Sequence, residues 1–223
     1  MNYAQQVIDT LSAHAAPEVA QGQAAYMKNK FQFFGLKAPQ RRILYNPFLK
    51  KTALPNKLEA IKIAKLLYAK PERELHYFAM ELMYQFRKNS EITDSEWIEF
   101  LITHNSWWDT VDYIADKLAG NYFINFPEQI EPITKKWIMS NDIWLKRSAL
   151  LFQLKYKEKT KVDLLSDYIL KLSSEKEFFI RKAIGWILRE YSATNPEWVK
   201  NFVAKNEDKL SDLSKKEALR NLN

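Results

Sequence analysis

Apolar residues recur three and four positions apart along almost the whole chain, as in LPNKLEAIKIAKLLYAK at 54–70 and NDIWLKRSALLFQLKYK at 141–157, and no strict alternation competes. That period puts the apolar side chains on one helical face, so the pattern predicts an all-α protein of roughly a dozen helices joined by short loops. Pro17, Pro39, Pro71, Pro127 and Pro196 each stand just inside a new periodic segment, where the missing N–H costs nothing, while Gly35 and Gly120 fall where segments should end.

A repeat emerges when RELHYFAMELM, WDTVDYIADKL, WLKRSALLFQL and FIRKAIGWILR are stacked so that Tyr77, Asp112, Arg147 and Lys182 share a column, with 35 residues between neighbours. Helical hairpins repeating at this interval predict one continuous array over residues 1–223, a curved α-α solenoid in which equivalent positions lie side by side along one face. The column would then offer Tyr, Asp, Arg and Lys to a single elongated ligand.

Composition narrows the ligand. With 47% hydrophobic and 27% charged residues the chain can bury a core without disulfides. It has no cysteine, and His14, His76 and His104 are too scattered for a zinc site, so neither a metal nor another cofactor is expected. The start, MNYAQQVIDTLSAHA, lacks a basic and then apolar leader pattern, and no stretch reaches 18 apolar residues, which predicts a cytoplasmic monomer without a membrane partner. A net charge of +7 biases the surface toward phosphates, anionic lipids or acidic proteins.

The segment NSWWDTVDYIADK at 105–117 holds the strongest chemical signal. Ser106 and Asp109 match the [ST]-x-x-[DE] helix start, which assigns Asp109 a structural task. Asp112 lies past the first turn and has no such task; an ion pair with Lys146 or Arg147 is its simplest alternative role. Trp108 precedes Asp112 by four residues and shares its helical face, whereas Trp107 points about 100° away and is assigned to packing. Further on, Lys182, Trp186 and Arg189 fall at i, i+4 and i+7, an aromatic between two cations, which suits a sugar–phosphate backbone. A carboxylate in such a basic face repels a polyanion, unless the reaction it serves develops positive charge, as N-glycosidic hydrolysis does at the sugar.

These segments resemble the AlkD family of bacterial DNA alkylation repair glycosylases, through NSWWDTVD, NDIWLKR and SEKEFFIRKAIGWILREY, with further likeness from AYMKNKFQFFGLKAPQRR at 25–42 to LSKKEALRNL near the end. The resemblance implies a HEAT-like, right-handed superhelical solenoid, and excision of cationic N3- and N7-alkylated purines from double-stranded DNA without flipping the base, as the first step of base excision repair. It further implies that Asp112 is the catalytic carboxylate, that Trp108 and Trp186 cradle the lesion deoxyribose, that Arg147 binds phosphate there, and that Tyr26 lies near the lesion. Lys37 stands where the best-known family member has glutamine. A non-catalytic helical-repeat module that binds nucleic acid or an acidic protein through the same basic face is the rival reading.

Overall fold

The computed structural model describes residues 2–222 and is all-α, its extended pairing limited among these residues to an isolated bridge between Gln32 and Glu72. No helix among them is long and apolar enough to cross a membrane. The chain divides into two compact units, Met1–Glu91 and Ile92–Asn223.

The first unit contains α1 (Tyr3–Ser12), α2 (Pro17–Tyr26), α3 (Ala38–Tyr45), α4 (Lys57–Tyr68) and α5 (Arg73–Tyr84). Its core closes around Phe78, whose ring meets those of Tyr3, Tyr45 and Phe48 at centroid distances of 6.3, 5.3 and 6.4 Å. Fully buried Glu74 on α5 accepts hydrogen bonds from the backbone N–H groups of Phe34, Gly35 and Leu36, at 3.1, 3.0 and 3.0 Å. A loop that cannot pair its own amides is thereby satisfied by one carboxylate. Gly35 has φ +93°, and a Cβ there would lie 2.1 Å from the Ala16 carbonyl oxygen, so only glycine fits this turn. His76 is buried between Arg73 Nη1 at 3.0 Å and the Lys70 carbonyl at 2.9 Å, a satisfied core histidine.

The second unit contains α6 (Asp94–Thr103), α7 (Trp108–Tyr113), α8 (Gly120–Asn125), α9 (Ile130–Met139), α10 (Ile143–Leu151), α11 (Val162–Leu172), α12 (Phe178–Ser192), α13 (Pro196–Lys205) and α14 (Asp212–Ala218). Between α7 and α8 the backbone continues through a π-helical stretch, Ile114–Ala119, which packs against α6 and α10. Trp107, Trp144 and Phe179 form a closed aromatic triangle with centroid separations of 5.0 to 5.6 Å, so Trp107 is a packing residue, as expected, although it packs from an extended position ahead of α7 and not by helical phase.

Three local expectations change. Pro71 lies before α5 and outside it. Gly120 ends nothing: it is helical, and its missing side chain lets the Phe152 carbonyl oxygen approach to 2.6 Å of the Cβ position, with Tyr156 donating to the Gly120 carbonyl at 2.7 Å. Ser106 does not cap α7. Trp107 occupies the N-cap in extended conformation, and the Ser106 hydroxyl donates back to the Ile102 carbonyl at 2.5 Å, ending α6 instead of starting α7. Asp109 still falls in the first turn of α7, where a carboxylate favours the helix dipole.

Candidate active site

The NDIW segment fixes the first part of the site. Asp142 caps α10 by accepting from the backbone N–H groups of Trp144 at 2.7 Å and Leu145 at 3.3 Å, and one turn later α10 presents Arg147. The Arg147 guanidinium grips Asp112 on α7 with both arms, Nε to Oδ1 at 2.7 Å and Nη2 to Oδ2 at 2.8 Å, while Nη1 donates to the Phe179 carbonyl at 2.5 Å. One side chain thus ties α7, α10 and the start of α12 together.

This is the ion pair named above as the simplest role for Asp112, but it is not a surface pair. Side-chain exposure is 4% for Arg147 and 16% for Asp112, so both partners are largely withdrawn from solvent and Asp112 is the more accessible of the two. Burial raises the Asp112 pKa above the ordinary carboxylate value; the Arg147 hydrogen bonds and charge oppose that rise, and the nearby Asp109 charge adds to it. Lys146, the other candidate partner, pairs with Glu175 at 2.5 Å.

Trp108 opens α7 and is half-buried, on the same helical face as Asp112. On α12, Lys182, Trp186 and Arg189 are also half-buried on one face. That face is partly covered by α14. Gly185 allows the approach, since a Cβ there would lie 2.5 Å from the Glu217 Cβ and 2.8 Å from the Ser214 carbonyl oxygen. Glu217, 6% exposed, accepts from both Lys182 Nζ and Arg189 Nη1. Burial, followed by the positive charges of Arg189, Arg220 and Arg147, presses the Lys182 pKa downward.

In the first unit, Tyr26 and Lys37 line a groove of about 560 Å³ with Tyr77, Arg41 and Met27. Tyr26 is 73% exposed, and the Arg41 guanidinium lies 4.2 Å from the Tyr77 ring centroid. The second unit thus joins Asp112 to Arg147, and Lys182 and Arg189 to Glu217, with Trp108 and Trp186 on the same helices, while the first unit brings Tyr26 and Lys37 to one groove. Glu217 was not among the residues expected from sequence. Its signal was nonetheless present: it stands 35 residues after Lys182, in the same column.

The chain matches the family model described as DNA alkylation repair enzyme over residues 7–222. A solved structure described as a predicted DNA alkylation repair enzyme from Enterococcus faecalis is similar, with 34% sequence identity, a TM-score of 0.87, and coverage of 94% of this chain and 97% of that one. No curated protein matches. With the family model spanning nearly the whole sequence and the fold shared at this identity, the chain belongs to the DNA alkylation repair enzyme family.

Proposed function

We propose that the protein is a DNA glycosylase that hydrolyses the N-glycosidic bond of cationic N3- and N7-alkylated purines in duplex DNA, acting at the sugar without flipping the base. The observation that carries this reading is the Asp112 carboxylate, held by both arms of Arg147 yet still 16% exposed at its side chain, four residues after Trp108 on the same helix. A cationic purine leaves as a neutral base when the C1′–N bond breaks and the bonding electron pair departs with it. The sugar becomes oxocarbenium-like at that moment. A fixed negative charge and two indole faces at the sugar attract it more strongly than the uncharged sugar of the ground state, where the positive charge lies on the purine, which lowers the barrier. Water then adds to C1′, its proton passing to the carboxylate or to solvent, and an abasic site remains.

Arg147 acts in this scheme chiefly on Asp112. Its resemblance-based role as a phosphate ligand meets a guanidinium that already makes three hydrogen bonds and is almost wholly buried. The same bidentate pair gives Asp112 a structural task, and that favours a second reading, a non-catalytic DNA-binding module. One experiment separates the two: single-turnover incubation with duplexes that differ only in the lesion, assayed for free base. Release of N7-methylguanine and N3-methyladenine, with hypoxanthine and uracil retained, is expected, because neutral bases need protonation to leave. No release of any base supports the binding module, and comparable release of hypoxanthine overturns the charge-based mechanism.

A further inference from the structure

Trp186 stands between two cations that are already occupied. Lys182 and Arg189, four residues before it and three after, both donate to the Glu217 carboxylate. Glu217 comes from a different helix, α14, and its stem lies where a side chain on residue 185 would otherwise stand. The arrangement has the features of a built anion position: two convergent donors, a nearly buried acceptor and a glycine that makes room for it. Yet the acceptor is the protein's own, and it carries the sign of a DNA phosphate.

We propose that Glu217 is an internal anion which holds Lys182 and Arg189 ready around Trp186 and competes with a DNA phosphate for them. The inference rests on the reading that this face of α12 meets DNA. In the free protein the carboxylate keeps two long, flexible side chains in place, which lowers the ordering penalty when a phosphate arrives. It also cancels one of the two charges, so an undamaged duplex gains less from this face than two free cations would provide. Glu217 therefore limits non-specific binding, and does so through electrostatics with no base contact.

The test compares wild-type protein with Glu217→Gln, which keeps the shape and one acceptor but removes the charge. Dissociation constants for undamaged duplex are measured across a salt series, with circular dichroism to establish folding and free-base release from N7-methylguanine duplex run on the wild type. Glu217→Gln should bind undamaged duplex about tenfold more tightly at low salt, the effect of one charge of about 1.4 kcal/mol. Its log–log salt slope should steepen by about 0.9, one further phosphate neutralised. An unchanged slope and affinity in a folded variant would overturn the proposal and leave Glu217 as a packing ion pair. Should Glu217→Gln fail to fold, Lys182→Gln carries the test: a cation released to phosphate takes about 0.9 off the slope when lost, and a purely structural pair leaves it unchanged. Failure of the glycosylase reading looks different, since the wild type would then release no base whatever the slopes do.

Discussion

At the scale of residues, two aspartates three positions apart divide into different tasks. Asp109 stands in the first turn of α7, and Asp112 pairs with Arg147 while its side chain stays 16% exposed. Asp112→Asn should lower the single-turnover rate on N7-methylguanine about a hundredfold, the roughly 3 kcal/mol typical of losing one preorganised electrostatic contact, whereas Asp109→Asn should leave the rate within a few fold. An exchange of the two effects in that assay would reverse the assignment. The acid side of the rate profile gives a second check. Because burial lifts the Asp112 pKa, the rate on a cationic lesion should fall as pH drops through a value above 3.8, the ordinary aspartate value. Linkage has the opposite sense for stability: a carboxyl that binds its proton more tightly when folded contributes most below its unfolded pKa, and that contribution is lost as pH rises through the folded one. Burial and Arg147 thus act on the Asp112 carboxyl in opposite senses, burial favouring the protonated form and Arg147 the ionised one.

At the scale of elements, the 3.6-residue period shows the helices, and the 35-residue interval puts Asp112 and Arg147 in one column, where their side chains pair. What periodicity could not show was backbone detail. Ser106 and Asp109 form the right pattern for a capping box, but Trp107 must turn inward to Trp144 and Phe179, and that burial moves the start of α7 one residue on. Glu217 continues the 35-residue column after Lys182, but it is masked by its place on a short helix in a lysine-rich segment and by a sign opposite to its basic neighbours. Gly120 looked like a terminator because glycine usually is one, whereas here it is a contact between backbones. Gly120→Ala should therefore destabilise despite the gain of about 1 kcal/mol in helix propensity, since a Cβ 2.6 Å from the Phe152 carbonyl oxygen forces a shift costing about 1–3 kcal/mol. A raised melting temperature for that variant would show that α8 can move away freely. The π-helical stretch beside it has a similar meaning. It takes up one extra residue between Asp112 and Gly120, a change in angular advance that a 3.6-residue period cannot report.

At the scale of the whole molecule, each compact unit has its own core and its own buried polar anchor, Glu74 in the first and the Asp112–Arg147 pair in the second. Glu74→Gln replaces a carboxylate that accepts three backbone N–H bonds by an amide with a single acceptor oxygen, and should destabilise the first unit by roughly 3 kcal/mol. The distribution of one residue type makes that loss separately observable. All seven tryptophans lie after residue 91, at positions 97, 107, 108, 137, 144, 186 and 198, and the first unit has none. Indole emission is therefore an optical label for the second unit alone, whereas far-ultraviolet dichroism counts helix in both. If the units unfold as separate cooperative blocks, Glu74→Gln should shift the early part of the dichroism melt downward and leave the fluorescence transition where it was. If both signals move together, the two units unfold as one, and the tryptophans report on the entire chain from within half of it.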